Sequence, residues 1–213
     1  MVTPSMAFDP AQITSLEHYE EWQGYGVSLA EGALKDLHST VARLIEARQT
    51  LRANEVAHPS AQALELDDLH TKLMPVVTGK IDAAVATISK AIAAHEATLS
   101  AQVKDNASGA EIRGCVRSLS LGERRKVLQE AINSGDAVVV GALLGASTRV
   151  LAGLQLTDEM HTAYLRQWHE RRDAETAKKL ALARAAVQKL EAAGSLFVAS
   201  TEAVRREIGA RCN

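Results

Sequence analysis

Apolar residues recur at intervals of three and four positions along two long stretches of the chain, which is the pattern of an amphipathic helix. The first stretch predicts a helix from Val27 to about Ala53, with Arg48 at one of its apolar positions. The second predicts a helix over 62–103, with a kink or break near Pro75 because proline cannot donate a backbone hydrogen bond. The apolar positions that define the two stretches are Leu34, Leu37, Val41, Leu44, Leu51, Ile81, Val85, Ile88, Ile92 and Leu99.

The spacing of these residues fits the a and d positions of a coiled coil. Two architectures are compatible with it: a long antiparallel helical hairpin, or two ordinary core-facing helices of a compact bundle. Three consecutive heptads over 81–102 favour the hairpin. We therefore expect the apolar seam to mediate self-association, and we interpret His95, which falls on it, as a core-edge residue rather than a ligand.

The rest of the chain is expected to hold shorter helices. Residues 1–24 are predicted to form a tail and one short helix that begins at Asp9-Pro10, and 25–104 to form the hairpin. A polar stretch at 105–114 reads as a linker. It precedes a compact helical module at 115–213. No segment shows the alternation of a strand, so the predicted fold class is all-α.

Helix-start signals are clear in the predicted C-terminal module. Ser120 and Glu123 form the two ends of a capping box. Asp136 is placed to cap an apolar helix at 137–144, and Thr157 to start a further helix. A strong helix former follows from Asp173 to Ala193.

Charge is distributed unevenly along the sequence, although the net charge is only −2. Residues 1–110 carry 8 Lys/Arg and 14 Asp/Glu, whereas 111–213 carry 16 and 12. Such polarity indicates oriented self-association or a polyanionic partner, although drift in surface composition explains it equally well.

Basic residues in the second half are the candidate contacts to a polyanion or partner. Acidic residues are interspersed among them, and the helix at 137–144 carries no side chain able to read a base edge. Any contact with nucleic acid is therefore expected to be non-specific. The candidates are Arg113, Arg117, Arg124, Arg125, Lys126, Arg171, Arg172, Lys178 and Lys179.

Motifs for catalysis or cofactor binding are missing from the sequence. His95-Glu96 and His169-Glu170 lack the second histidine that a zinc protease requires. No P-loop or G-x-S-x-G motif occurs. Cys115 and Cys212 are too far apart in sequence to indicate a disulfide framework or a zinc site. We expect a non-enzymatic protein without a metal or cofactor.

The sequence predicts a soluble protein in a reducing compartment, with neither a signal peptide nor a membrane-spanning segment. The opening residues, MVTPSMAFDP, have neither the basic region nor the apolar run of a signal peptide. The most apolar stretch, 137–146, is about half the roughly 20 residues that a membrane span needs.

Residues 118–160 resemble a recurrent segment of tailed-bacteriophage proteins that belong to the virion morphogenesis set. The similarity lies in an LxEAIxxGDxxVVxALLxA pattern at 128–146 and an LxGLxxxxE pattern at 151–159, followed by a charged helix. It implies a structural component located in the virion or the host cytoplasm. It carries no functional residue over to this chain.

The leading hypothesis is a structural or assembly protein that associates with copies of itself and with other structural proteins. A capsid scaffold is one form of it, and a permanent head, neck or tail component is the other. The alternatives are a nucleic-acid-associated protein that uses its basic C-terminal half, and a regulatory helical domain that binds a small molecule.

Overall fold

The computed structural model describes residues 4–24, 26–54, 56, 58–146 and 155–212, without the side chains of 203–212. Every regular element in these residues is helical, which confirms the all-α prediction. After a short 3-10 helix at Met6–Phe8, the α-helices are α1 (Ala11–Thr14), α2 (Tyr19–Trp22), α3 (Val27–Ala53), α4 (Pro59–Leu99), α5 (Gly109–Arg117), α6 (Leu121–Ser134), α7 (Ala137–Leu144), α8 (Asp158–Arg172) and α9 (Ala174–Cys212). None of the helices in the described ranges is long and apolar enough to cross a membrane.

The chain divides into two compact units that do not follow the order of the sequence. Unit 1 comprises Met1–Ile92 and Lys179–Asn213, and unit 2 comprises Ala93–Lys178. Both boundaries fall inside helices, one near the end of α4 and one near the start of α9. The division therefore differs from the predicted one, which separated the chain at 105–114.

Helix α4 is continuous, and it both begins and ends a few residues earlier than the sequence indicates. It starts at Pro59, because a proline in the first turn loses only an N–H that has no helical partner there. The expected break at Pro75 does not occur. Leu73 and Val77 pack into the core on either side of the proline, and the Thr78 hydroxyl donates to the Met74 carbonyl at 3.0 Å. Packing on both sides thus outweighs the one lost backbone hydrogen bond.

Unit 1 is built on the two predicted long helices and a third that the sequence does not pair with them. Helices α3 and α4 run antiparallel: Lys80 forms a 2.6 Å salt bridge with Asp36, and residues 43–51 face 65–72. Their apolar faces share one core with α9. The residues that α9 contributes are Leu182, Ala183, Ala186, Leu190, Ala193 and Phe197.

The N-terminal residues belong to the same core rather than to a free tail. Phe8, Ile13 and Tyr19 are buried, and the Phe8 ring meets the Phe197 ring edge-on with centroids 6.5 Å apart. The single predicted helix is divided into α1 and α2, because His18 adopts a left-handed conformation (φ 67°) between them. The N-terminal residues thereby pack against α9 at Phe197.

Tyr19 provides a spectroscopic test of this packing. Its hydroxyl donates to the Glu31 carboxylate, and that hydrogen bond, burial and the charge of Glu31 raise the pKa of Tyr19 from 10.0 to about 12. The protonated phenol is bound more tightly in the folded state, so its stabilising contribution is complete below pH 10 and is lost between pH 10 and about 12. In a titration followed by tyrosinate absorbance, we expect one late transition that Tyr19→Phe removes. If that variant keeps the late transition, the hydrogen bond to Glu31 is not formed.

Unit 2 packs α5 to α8 around Trp168, which is 3% exposed. The predicted helix starts are confirmed there. Ser120 and Glu123 form the capping box, and Asp136 and Thr157 each accept a hydrogen bond from a backbone N–H of the helix that follows. The hydrogen bonds from the Ser120 hydroxyl and N–H lower the pKa of the Glu123 carboxyl.

The segment predicted to be a linker lies within unit 2, and part of it forms α5. Arg113 Nη1 lies 2.9 Å from both carboxylate oxygens of Asp105, and it donates to the Ala142 carbonyl at 2.7 Å. The Arg113 hydrogen bonds lower the pKa of the Asp105 carboxyl. The Asn106 amide donates to the Val138 carbonyl at 2.7 Å. These hydrogen bonds join residues 105–113 to α7. The polar side chains of this segment therefore bond to the fold rather than to solvent.

Two glycines permit the close contact between residues 104–105 and α7: Gly141 within the helix and Gly145 directly after its end. A methyl group at Gly141 would lie 2.8 Å from the Lys104 carbonyl oxygen. At Gly145 it would lie 2.5 Å from the backbone nitrogen of Asp105. Only a residue without a side chain allows the backbone at 104–105 to approach so closely.

The charge polarity of the sequence does not carry over to the units. Unit 1 contains 13 Lys/Arg and 15 Asp/Glu, and unit 2 contains 11 of each. The polarity disappears because α9, which belongs to the basic half of the sequence, packs with the acidic N-terminal helices in unit 1. Local groups of charges, rather than net charge, must therefore direct any association.

Candidate functional site

The predicted self-association seam lies largely inside the fold of the single chain. Leu34, Leu37 and Ile88 have no exposed surface, and Leu44, Ile81 and Leu99 are also buried. The remaining seam residues are partly buried: Val41, Leu51, Val85 and Ile92. Because most of this apolar surface is already covered within one chain, another copy can reach only its edges.

Four of the nine candidate basic residues contact other groups of the same chain. The Arg113 side chain is only 12% exposed and is bound as described above. Arg124 donates to the carbonyls of Leu119 at 2.9 Å and Arg117 at 2.7 Å, which closes the turn between α5 and α6. Arg172 lies 5.0 Å from the Trp168 ring centroid, and Lys179 Nζ lies 4.3 Å from that of Trp22. Arg113 and Arg124 are thus bound into the fold, whereas Arg172 is itself exposed despite its contact with Trp168.

The other five basic residues are exposed: Arg117, Arg125, Lys126, Arg171 and Lys178. The structure does not bring them into one patch. Arg125 Nη2 lies 3.9 Å from the Met160 sulfur near the start of α8. Arg171 follows Met160 by eleven residues, which is about 16 Å along the same helix. Two separate basic groups result.

The two histidines of α8 have partners that sequence reasoning missed. His161 Nε2 lies 2.8 Å from the Leu144 carbonyl oxygen, and His169 Nε2 lies 2.7 Å from that of Ala101. A carbonyl only accepts, so Nε2 carries the proton in both rings. The histidines tie α8 to other parts of unit 2. Within the described ranges, no group of three or more His, Cys, Asp or Glu residues is placed to hold a metal ion.

The candidate site is a groove of about 580 Å³ between α4 and α9 in unit 1, which we call the acidic groove. Its apolar surface includes Ile81 and Val85 from α4 and Val198 from α9. Gly194 leaves space in the groove, since a methyl group there would make an ordinary contact with a methyl group of Ile81 at 3.6 Å. The groove thus exposes apolar surface at the edge of the core.

The charged residues that line the acidic groove are all acids among the side chains that the structure describes: Asp82, Glu191 and Glu202. Asp82 and Glu191 are exposed. The neighbouring groove between α3 and α4, of about 400 Å³, differs because the salt bridge of Lys80 with Asp36 spans it. The acidic groove consequently favours an apolar ligand that carries positive charge.

The sequence gives little indication of this groove. Its two walls come from helices that lie about a hundred residues apart and that the predicted linker assigned to different domains. The available signal is a run of small residues around Gly194 together with Leu196 and Val198, which are 41% and 37% exposed. Unless α4 is known to pair with α9, these residues indicate only a possible end of a helix at Gly194.

Comparison with protein-family models, with curated proteins and with solved structures finds no match for the chain. Among the described residues of the segment that resembles phage proteins, α6, α7 and the first residues of α8 are helical. Residues 147–154, which include the start of its second pattern, lie outside the described residues. The geometry of the acidic groove is therefore the main basis for a functional interpretation.

Proposed function

We propose that this protein is a non-enzymatic structural or assembly protein that works by helix-mediated association. The observation that carries the proposal is the acidic groove, where apolar side chains of a closely packed bundle remain open to a partner. Burying apolar surface contributes about 25 cal/mol per Å². An apolar groove with a polar rim is typical of an association site.

The proposed setting is a bacteriophage virion or its assembly pathway, and the support for it is the resemblance of residues 118–160. The partners are copies of the same chain and other structural proteins of the particle. The protein would then act as a scaffold or as a head, neck or tail component. A scaffold would be found by mass spectrometry in immature particles only, and a permanent component also in mature ones. Absence from both would exclude the virion role.

Sedimentation velocity of the purified full-length chain tests helix-mediated association. We expect the sedimentation coefficient to rise with protein concentration, because the acidic groove is filled only when molecules meet. In a matched series at high salt, the protein concentration at which half of the chains associate should shift, since the groove is flanked by charges. A compact monomer at every concentration, without added partner, would contradict self-association.

Nucleic acid is the second candidate partner, and the exposure of Arg117, Arg125, Arg171 and Lys178 favours it. Against it, four other basic side chains are engaged within the chain, and the exposed ones form two groups. Few phosphates can therefore be neutralised at once, so binding to duplex DNA should be weak, and its salt dependence should be shallow because the slope scales with the number of phosphates neutralised. Failure to bind at low salt would remove this candidate.

A further inference from the structure

We propose that the acidic groove of one copy binds the exposed end of unit 2 of a second copy, at the turn between α5 and α6. This end, which we call the basic tip, consists of Arg117, Leu121 and Arg125. The proposal rests on helix-mediated association as the protein's function and names the partner of its groove.

The chemistry of the acidic groove defines what it can bind. The partly buried Val85 and the exposed Val198 offer apolar surface beside Ile81, which is itself buried, and the exposed carboxylates of Asp82 and Glu191 flank it. A second acidic groove is a poor occupant, because like charges would face each other across a partly desolvated contact. The partner must instead offer an apolar side chain with positive charges beside it.

The basic tip has that combination. Leu121, the first residue of α6, is 38% exposed, and Arg125 is exposed one helical turn later on the same face. Arg117, also exposed, is the last residue of α5. The acid nearest in sequence, Glu123, is exposed and ionised, but its carboxylate is held by hydrogen bonds from the Ser120 N–H and hydroxyl. The two arginines outnumber this one carboxylate, so the tip presents net positive charge beside an apolar side chain.

The tip is also held in a fixed shape before it binds. Arg124 bonds to the carbonyls of Leu119 and Arg117, and the capping box fixes the first turn of α6. Leu121, Arg124 and Arg125 line a small hollow with the core residues Val116 and Leu128. The backbone of the tip therefore loses little conformational entropy on association, and the main ordering cost falls on the exposed arginine side chains.

A contact between groove and tip joins two different surfaces, so each copy in a pair keeps one unused groove or tip. Copies can then add in a line or close into a ring. Stable pairwise interfaces bury about 1,200 Å² or more in total. A groove of about 580 Å³ that takes one leucine and two arginines covers less, so each contact should be weak and oligomers should form gradually with concentration.

Charge reversal in the full-length chain, followed by sedimentation velocity, tests the pairing. The groove variant carries Asp82→Lys and Glu191→Lys, and the tip variant carries Arg117→Glu and Arg125→Glu. Each should weaken association at least tenfold relative to the natural chain. All four substitutions in one chain should restore it, and so should an equimolar mixture of the groove and tip variants, because each then supplies the surface that the other needs.

Matched controls separate the pairing from general charge effects. Glu65→Lys replaces an acidic residue elsewhere on α4 with lysine. Lys126→Glu reverses the charge of the residue next to Arg125; the Lys126 amino group lies 3.9 Å from the Glu130 carboxylate. Both should associate as the natural chain does, and circular dichroism should show every variant folded.

The outcomes distinguish this proposal from the function on which it rests. If the natural chain associates and the groove and tip variants associate equally well, or if combining them restores nothing, the groove–tip contact is wrong while helix-mediated association stands. If the natural chain stays monomeric at every concentration, self-association fails and the groove–tip contact fails with it.

Discussion

Ile88→Ala is expected to lower the free energy of unfolding of unit 1 by about 3 to 5 kcal/mol, the upper part of the range for truncating a buried isoleucine. Ile88 has no exposed surface and lies in the core shared by α3, α4 and α9. It also lies 3.8 Å from the position that a side chain on Gly26 would take, at the start of α3. The resulting cavity has well-packed walls that cannot easily collapse.

The two tryptophans of the chain allow this loss to be measured in the right unit. Trp22 lies in unit 1 and Trp168 in unit 2. In a Trp168→Phe background, denaturant unfolding followed by fluorescence reports on Trp22 alone. Val76→Ala is the control, because Val76 lies on the same helix but is 55% exposed, and it should change the midpoint little. Equal effects of the two substitutions would show that Ile88 is not in a closed core.

Gly145→Ala is expected to destabilise unit 2 by about 3 kcal/mol, the upper end of the usual range for overpacking. The added methyl group would lie 2.5 Å from the Asp105 nitrogen and 2.7 Å from the Lys104 carbonyl carbon. Both are backbone atoms, so no side chain can simply rotate away. The backbone conformation itself is no obstacle, since φ at Gly145 is −81°. Fluorescence of Trp168 in a Trp22→Phe background measures the loss.

Gly114→Ala makes the same chemical change with the opposite expected sign. Gly114 lies inside α5, and a methyl group there would meet no atom within 4 Å. Alanine should stabilise the helix by about 0.5 to 1 kcal/mol relative to glycine. If Gly145→Ala were equally benign, the segment at 104–106 would not pack against α7 as the structure shows.

The helical periodicity made some of the fold predictable from sequence. Leu34, Leu37 and Ile88 were assigned to an apolar seam and are fully buried, because residues three and four apart share one face of a helix. Caps were equally informative, since Ser120 and Asp136 bond to backbone N–H groups a few residues away. Such short-range signals lie within one element and need no knowledge of its neighbours.

The features that failed to be predicted depend on contacts between distant parts of the chain. Nothing in the sequence near Leu190 shows that α9 completes the core of α3 and α4. The polar residues at 105–113 looked like a linker because the carbonyl groups they bond belong to α7, about 30 residues later. The acidic groove is formed by both α4 and α9, so it could not be predicted from the sequence either. The basic residues were found, but not that Arg113 and Arg124 are engaged internally.

The division of unit 1 between the two ends of the chain has a consequence for biosynthesis. Helix α4 enters unit 2 at Ala93, and α9 rejoins unit 1 at Lys179. At roughly 5 to 20 residues per second, a ribosome takes about 4 to 17 s to make the intervening stretch. Throughout that interval the apolar faces of α3 and α4 exist without α9. A nascent chain is thus exposed to misassociation or chaperone capture until α9 is made, and a truncation before α9 should leave it permanently in that state.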